Sequence, residues 1–404
     1  MALLPDRYQS IIGMWYSTLD ATTMARKFTL ASRASQLAQI QTNIVLQSLH
    51  KLHPPNEDDD SVPTFATSFM STSGDKNQSQ ALYLLGGKAL WTKELEVALK
   101  DGEVDMLVHS LKDVPTSLPD GCIIAAILER EDPVDSLVVR KGETWKTVAE
   151  LPAGSVIGTS SVRRVAQLKR NYPYLRFSDV VSFLIRSNQI IFINLLLFCS
   201  AEICEPSTFF NSTTARMLLY LFRNTRLAKL DAVDGPYTAL ILAKAGLVRM
   251  GWGDRVSSDL SPPVLFHAVS QGALAIEVRA NDQEAIELCK KLTHRETAWK
   301  CTAERACLRA LEGGCSVPVG VASEIVAGEK DETLRLTGCV TSVDGANHVE
   351  YTLEEVVGSI EDAERMGTKL AEILVERGAK RILDDINADR EKRIGEAKAA
   401  DESK

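Results

Sequence analysis

The chain changes from a strand to a helix within Phe28-Thr29-Leu30-Ala31-Ser32-Arg33-Ala34-Ser35-Gln36-Leu37-Ala38. Its first five residues predict the strand, and Ser32 and Ser35 can both cap the helix that follows. The apolar residues of that helix repeat at helical spacing: Leu37, Ile40, Ile44 and Val45. A strand that leads directly into a helix is the building unit of α/β folds.

Further strands and helices alternate along the chain. A helix around Lys93–Lys100 precedes the strand Val104–Ser110, and the pattern restarts after Arg130. There, the short strand Ser155–Gly158 leads into a helix that runs to Arg170. Such alternation favours parallel sheets, in which binding sites gather at the carboxyl ends of the strands. The expected fold class is therefore α/β, with two such units.

The C-terminal part has a different pattern. The stretch Arg295–Leu311 predicts a helix closed by glycines, and strand-like runs follow at Leu334–Val340 and Val349–Leu353. A helix over Ile360–Arg377 then indicates a small α+β domain. The charged stretch from about residue 389 to the end is expected to be frayed.

The chain is long enough for three domains, each with its own core. The expected first domain comprises residues 1–130 and 270–293 and contains the loop with Asp113, while residues 1–23 form a disordered extension. Residues 131–269 form the expected second domain, which contains the arginine cluster described below. The third, residues 294–404, is the α+β domain.

The composition is ordinary for a soluble globular enzyme. The chain has 404 residues, of which 45% are hydrophobic and 25% charged. A net charge of −8 argues against nonspecific binding to nucleic acid or to an anionic membrane. Eight cysteines without CxxC pairs indicate reduced thiols rather than disulfides or zinc. Residues 1–23 contain only one basic residue, Arg7, and make a poor targeting peptide, so a cytoplasmic location is expected.

Arginines are placed where they could bind anions. Arg163 and Arg164 occupy the first turn of the helix that Thr159-Ser160-Ser161 opens, and such a turn offers free amides, hydroxyls and two guanidiniums. A solvated basic helix face is the alternative, because Lys169 and Arg170 follow. Further arginines in predicted turns or helix starts favour a ligand with several carboxylates: Arg33, Arg226 and Arg249.

A lysine and a carboxylate follow the strand that ends at Ser110. In Val108-His109-Ser110-Leu111-Lys112-Asp113-Val114-Pro115, Asp113 can accept two N–H bonds and stabilise cationic charge beside them. The alternative is a surface aspartate paired with the neighbouring Lys112. His109-Ser110 does not indicate a hydrolase, since no G-x-S-x-G motif is present.

One cysteine differs from the rest in its surroundings. Cys315 lies in Leu311-Glu312-Gly313-Gly314-Cys315-Ser316-Val317-Pro318, where two glycines precede it and a serine and a proline follow. This loop can expose the thiol. Other cysteines are expected to be small buried apolar side chains: Cys122, Cys301, Cys307 and Cys339.

These stretches together resemble the porphobilinogen deaminase family over about residues 27–180 and 224–385. Besides the two stretches quoted last, the resemblance depends on Ser32–Ala38, Ser71–Lys76, Thr92–Glu96, Gly158–Arg164 and Ala245–Trp252. It implies two domains similar to type II periplasmic binding proteins and a third that carries the cysteine.

The resemblance also implies an activity and a cofactor. A dipyrromethane, joined to Cys315 by a thioether, would act as primer for four porphobilinogen molecules, each adding with loss of ammonia, before hydrolysis releases hydroxymethylbilane for haem synthesis. Asp113 would be the main catalytic group, assisted by Lys112. Acetate and propionate groups would be held, or rings oriented, by Arg33, Ser35, Ser110, Thr159, Ser161, Arg163, Arg164, Arg226, Arg249 and Gln271. We expect a monomer without nucleic-acid or membrane partners.

An atypical insertion separates this chain from the family pattern. The family has Arg-Gly-Asn-x-x-Thr-Arg where this chain has Phe222-Arg223-Asn224-Thr225-Arg226, so Arg226 fits the last arginine and the first is missing. Residues 181–222 stand in its place, and their run Ile190–Phe198 is too short for a membrane span of about 20 residues. Translated intron sequence and a folded insertion are both open explanations. An impaired product of the same gene, or a non-enzymatic anion-binding protein of this architecture, are the functional alternatives.

Overall fold

A computed structural model describes residues 25–56, 61–72, 89–180, 225–311, 317–327 and 332–402. The predictions for the N-terminal extension 1–23, the insertion 181–222 and Cys315 lie outside these residues. Among the helices so described, none combines the length and the apolar character needed to cross a membrane.

The first sheet contains five strands in the order β2-β1-β3-β10-β4. Strand β1 runs parallel to both β2 and β3, whereas β10 is antiparallel to β3 and β4. The strands are β1 (Lys27–Arg33), β2 (Thr64–Met70), β3 (Met106–Ser110), β4 (Cys122–Ile127) and β10 (Leu274–Arg279). The sheet is therefore assembled from two distant parts of the chain.

The second sheet repeats this arrangement with the order β7-β6-β8-β5-β9. Strand β6 is parallel to both β7 and β8, whereas β5 is antiparallel to β8 and β9. The strands are β5 (Asp135–Val139), β6 (Val156–Gly158), β7 (Arg176–Ser178), β8 (Ala239–Ala243) and β9 (Ser258–Leu260). The chain passes from the first sheet to the second through residues 128–134 and returns through residues 261–273, which we call the crossing segments. In each sheet the antiparallel strand, β5 or β10, directly follows one of them.

Helices cover both sheets because their apolar residues lie on one side. Val45 and Leu49 of α1 pack with Phe28 and Leu30 on one face of the first sheet, and Leu95 of α2 packs with other residues on the opposite face. The helices of the two halves are α1 (Gln36–Leu52), α2 (Ala89–Lys100), α3 (Val162–Asn171), α4 (Thr225–Asp231), α5 (Lys244–Arg249) and α6 (Gln283–Lys290). Fully buried α/β cores of this kind fix the strand ends that carry site residues.

The C-terminal part is an antiparallel sheet covered by helices. Its order is β11-β12-β13, and Leu334, Leu336 and Val340 pack against α7 and α8 in one core. The elements are α7 (Arg295–Ala310), β11 (Val319–Ala327), β12 (Glu332–Thr341), β13 (His348–Val356), α8 (Ile360–Glu376) and α9 (Ala379–Glu402). These elements confirm the predicted α+β class.

Two of the sequence predictions are confirmed by the fold and two are corrected. The α/β class is confirmed, and Cys122, Cys301, Cys307 and Cys339 are buried as expected. The sheets are mixed rather than parallel, because each includes the strand that enters after a crossing. The tail from residue 389 is helical up to Glu402, since alanines and long charged side chains are good helix formers. The division into three domains remains a prediction.

Candidate active site

A cavity of about 340 Å³ lies between the first and second sheets. We call it the central cleft. Predicted site residues from both halves line it: Ser35, Ser110, Lys112, Arg164, Arg226, Arg249 and Gln271. In the described part of the chain, its lining does not include the other predicted residues, Arg33, Asp113, Thr159, Ser161 and Arg163. The cleft thus brings together most of the cationic positions expected from the sequence.

Lys112 and Asp113 lie on a single 3-10 turn, Leu111–Asp113, directly after β3. Leu111 is fully buried and its amide donates to the carbonyl of Ala273, which anchors the turn to the first sheet. Lys112 Nζ donates to Gln271 Oε1 at 3.2 Å. Burial lowers the pKa of Lys112 to about 8, although Asp113 acts in the opposite direction. The lysine is therefore a cation that can lose its proton within the ordinary working range of an enzyme.

The two adjacent arginines share one buried carboxylate. Asp135, at the start of β5, accepts from Arg163 Nη2 at 2.8 Å and from Arg164 Nη2 at 2.6 Å. Burial would raise the pKa of Asp135, but the two guanidiniums outweigh it and hold that pKa far below its usual value. The second terminal nitrogens bond to the carbonyls of Phe266 and Ile241.

The two arginines differ in whether a ligand in the central cleft could contact them. Arg163 is 4% exposed and contacts protein groups through both terminal nitrogens. Arg164 is also buried, but it borders the central cleft, and its Nε has no hydrogen-bond partner among the described residues. An unsatisfied buried donor beside a cavity is costly unless a ligand or water accepts from it. Of the pair, Arg164 is therefore the one placed to meet an anion.

Gln271 connects the two halves of the molecule. Its Nε2 donates to Asp135 at 2.9 Å and to the carbonyl of Pro133 at 2.7 Å, while its Oε1 accepts from Lys112. Asp135 belongs to the second sheet and Lys112 follows a strand of the first. Gln271 therefore joins the lysine of one half to the buried arginine network of the other.

Three of the four hydroxyl side chains of the site accept from backbone amides, and the fourth, Ser110, bonds a side chain. Ser35 and Ser161 are the N-caps of α1 and α3 and accept from the amides of Ala38 and Arg164. Ser110 Oγ exchanges hydrogen bonds with the side-chain amide of Gln41 at 2.8 and 3.0 Å. Thr159 Oγ1 accepts from the Ser161 amide at 3.3 Å.

Of the remaining arginines in the described residues, Arg226 and Arg249 line the cleft and Arg33 does not. Arg33 places its guanidinium 4.1 Å from the ring centre of Trp91, an attractive cation–π contact. Arg226 is exposed on α4 and faces the cleft. Arg249, the last residue of α5, donates to the carbonyl of Gly272 at 2.6 Å, and its Nε has no partner among the described residues. Arg249 thus adds a further guanidinium to the lining of the cleft.

Three residues of this site were missed in the sequence. Gln41 lies in a helix, where nothing distinguishes it from a surface glutamine. Asp135 is the first residue of β5, and an apolar run follows it in the sequence. A carboxylate buried with such a strand needs a cationic partner, so the sequence contained a signal for Asp135. Glu304 is fully buried in α7 and accepts from both terminal nitrogens of Arg130, at 2.6 and 3.0 Å.

The Arg130–Glu304 pair joins the C-terminal part to the crossing between the halves. Glu304 also accepts from the Ser270 amide and the Ser323 hydroxyl, both at 2.6 Å. The backbone of His267 pairs with that of Val321 in β11 through two hydrogen bonds. Both crossing segments are therefore fixed to the α+β part.

Two α/β halves with one strand order and a cationic cleft between them define a two-lobed protein that binds an anionic ligand. Family models match most of the chain. "Porphobilinogen deaminase, dipyromethane cofactor binding domain" matches residues 28–184 and 223–287, and "Porphobilinogen deaminase, C-terminal domain" matches 298–376. The chain belongs to the porphobilinogen deaminase family.

Named relatives agree with this assignment. The porphobilinogen deaminase of Nostoc sp. is 46% identical over 372 residues, covering 92% of this chain and 98% of that protein. The porphobilinogen deaminase of Yarrowia lipolytica is 42% identical, covering 91% of this chain and 95% of its own. The first family match omits residues 185–222, which fall within the predicted insertion.

Solved structures give weaker similarities. A putative periplasmic sulfonate-binding protein SsuA from Methylobacillus flagellatus KT has a TM-score of 0.31 and 10% identity, over 72% of this chain and 69% of its own. The unliganded L-cystine solute receptor of Neisseria gonorrhoeae has a TM-score of 0.29 and 9% identity, over 74% and 98%. At such TM-scores the strand order remains the basis for the fold class.

The described residues fit the cofactor for which the matching domain is named. A dipyrromethane with acidic side groups needs donors and positive charge in a cleft. Arg164, Arg226 and Arg249 line the cleft with their positive charge, and Lys112 adds a further cation. The donor set therefore suits a ligand with several carboxylates.

Proposed function

We propose that this chain is a hydroxymethylbilane-forming transferase that condenses four porphobilinogen molecules head to tail with loss of ammonia. The observation that carries the proposal is 46% identity to a named porphobilinogen deaminase over 92% of the chain. The cleft supports it, since Lys112, next to Asp113 on the turn after β3, and Arg164, Arg226 and Arg249 all line it. The product serves tetrapyrrole and haem synthesis.

Binding of acidic side groups falls to the arginines that border the cleft. Arg164, Arg226 and Arg249 line the cleft and would place their guanidiniums beside these groups. Arg33 would present its charge from the ring of Trp91. Charge-assisted hydrogen bonds to carboxylates are among the strongest a protein makes, so these residues would orient the rings. Arg163 would support Arg164 through their shared carboxylate.

Asp113 would carry the chemistry at the reacting nitrogen. Its carboxylate would accept hydrogen bonds from pyrrole N–H groups and stabilise the positive charge that develops as ammonia leaves. Lys112, held by Gln271, would keep a cation beside it below pH about 8. Bound dipyrromethane supplies the ring to which the first substrate is joined. Ser35, Thr159 and Ser161 would shape the surrounding backbone, and Ser110 would hold the side chain of Gln41.

Cys315 is the proposed attachment point of the dipyrromethane. It follows α7, whose last residue is Ala310, and α7 is fixed to the crossing segments through Glu304. A thiolate can form the thioether that this attachment requires. The helix that precedes the cysteine in the chain is thus fixed to the segments that connect the two halves.

The insertion gives the second candidate function, an impaired product of the same gene. Residues 185–222 are omitted by the family match, and they interrupt the sequence just before Arg226. A form without 185–222 is the appropriate comparison. If the full chain lacks turnover and the shorter form has it, the insertion is the cause. A monomer in the cytoplasm remains our expectation, to be tested by light scattering and fractionation.

The decisive experiment measures intact mass after incubation with porphobilinogen. We expect a resting mass that includes two extra pyrrole units, absent in Cys315→Ser and retained in the control Cys122→Ser. Added substrate should then produce a ladder of further pyrroles, and Asp113→Asn should load the cofactor but extend it poorly. A wild-type chain that binds no pyrrole would contradict the proposed function.

A further inference from the structure

Arg305 contacts the loop that carries Asp113, and it does so without lining the central cleft in the described part of the chain. The side chain lies on α7, and its Nη1 and Nη2 donate to the carbonyls of Val114 and Pro115 at 3.2 and 2.6 Å. These carbonyls belong to the two residues directly after Asp113. We call residues 111–115 the Asp113 loop.

The same face of α7 also packs against this loop. Cys301, one turn before Arg305, lies in a buried cluster with Leu111 and Val114, all of them 0% exposed. The Leu111 amide is bonded to the first sheet, and the Val114 amide closes the 3-10 turn onto the Leu111 carbonyl. The apolar contacts hold the position of the loop. The guanidinium then fixes the direction of the backbone where it leaves Asp113.

We infer that Arg305 is a positioning residue for the reaction. It lies on α7, the helix that precedes Cys315 in the chain, and it orients the Asp113 carboxylate through the loop backbone. The inference rests on the proposed function. Arg305 acts through the loop and does not touch the central cleft in the described part of the chain. The helix that precedes Cys315 in the chain would thereby hold the catalytic loop in place.

An arginine suits this role because its planar fork can bond two carbonyls at a fixed spacing. Burial lowers the pKa of Arg305 to about 10, so the side chain stays charged at neutral pH. Catalysis is sensitive to such alignment, and a displacement of about 1 Å can cost about 100-fold in rate. Loss of the fork is therefore expected to reduce turnover more than binding.

Kinetics of three variants test this role. We expect Arg305→Met to lower kcat about 10- to 100-fold with KM within about twofold, since ground-state binding is by the cleft arginines. Arg305→Lys, which can reach one carbonyl, should recover part of the loss. Arg309→Met is the matched control, because Arg309 is an exposed residue of the same helix paired with Glu364. It should leave kcat unchanged.

A double-mutant cycle distinguishes positioning from general destabilisation. In an Asp113→Glu enzyme, whose carboxylate is already displaced, Arg305→Met should cost much less than in the wild type. Equal losses in the two backgrounds, per cofactor-loaded molecule, would overturn the inference.

Hydrogen exchange gives a test that does not depend on turnover. Amides of the Asp113 loop should exchange faster in Arg305→Met and not in Arg309→Met. Unchanged exchange would refute the contact even if the wild type were inactive. A wild type without turnover refutes the proposed function instead.

Discussion

Removing the charge of Asp135 should destabilise the second half of the molecule severely. Asp135→Asn keeps the shape and one acceptor but leaves Arg163 and Arg164 without their common counter-ion. The carboxylate is fully buried, and the side chains of the two arginines are 5% and 11% exposed. Solvent therefore cannot replace the lost charge, and the two guanidiniums repel one another.

The expected cost follows from that burial. Breaking a buried ion pair by removing one partner costs about 3–5 kcal/mol, because the remaining charge is left uncompensated. At about 2 °C per kcal/mol for a large chain, the melting temperature should fall by roughly 6–10 °C. Asp132→Asn is the control, since Asp132 lies three residues earlier and pairs with Lys244 at the surface. It should cost less than about 1 kcal/mol.

Calorimetry and urea unfolding at pH 7 would measure both variants. Asp135 keeps its charge well below its ordinary pKa, so its contribution should be complete at neutral pH and lost only in strong acid. If Asp135→Asn unfolds within about 1 kcal/mol of the wild type, the carboxylate is not the counter-ion that the geometry indicates.

Three further predictions concern the cleft and the crossing segments. Lys112 is charged below pH about 8 and neutral above it, so kcat/KM should fall as the pH rises through about 8. The pH profile of Lys112→Arg should lack this fall. The same fall in both proteins would show that it does not come from the lysine. Gly272 has φ +90°, and an added Cβ would lie 2.3 Å from a backbone oxygen, so Gly272→Ala should cost about 1–3 kcal/mol in urea unfolding. Gly251→Ala, with φ +74° and open space, should cost about 1 kcal/mol, and equal losses would show that the close approach is unimportant. Glu304→Gln leaves Arg130 buried without its counter-ion, so the free energy of unfolding should fall by about 3–5 kcal/mol. A melting temperature equal to that of the wild type would contradict this.

Local periodicity predicted the elements that deliver the site. The strand before Lys112 and Asp113, the helix opened by Ser161 and the helix before Cys315 were all expected and are present. Each depends on spacing within about twenty residues, which a single sequence contains. The exact bounds differ by one to four residues because helix and strand ends are set by capping and pairing.

Hydrogen bonds and ion pairs between residues far apart in the sequence could not be predicted from local periodicity. Arg163 and Arg164 were expected to bind a ligand together, but the carboxylate of Asp135 lies between them, 28 and 29 positions away. Gln271 reaches Asp135 across 136 positions. Which charges meet in a core depends on how the halves pair, and periodicity carries no information about partners so distant.

The shared strand order has a consequence for synthesis of the chain. Strand β10 lies between β3 and β4 in the first sheet, yet it is made only after the whole second sheet. A ribosome adding about 5–20 residues per second needs roughly 7–30 seconds to extend from β4 to β10. During that interval β4 has no neighbour in its sheet, and any insertion between the strands lengthens the exposure. The nascent first half is therefore an unfinished sheet with open edges, the form in which a chaperone would meet it.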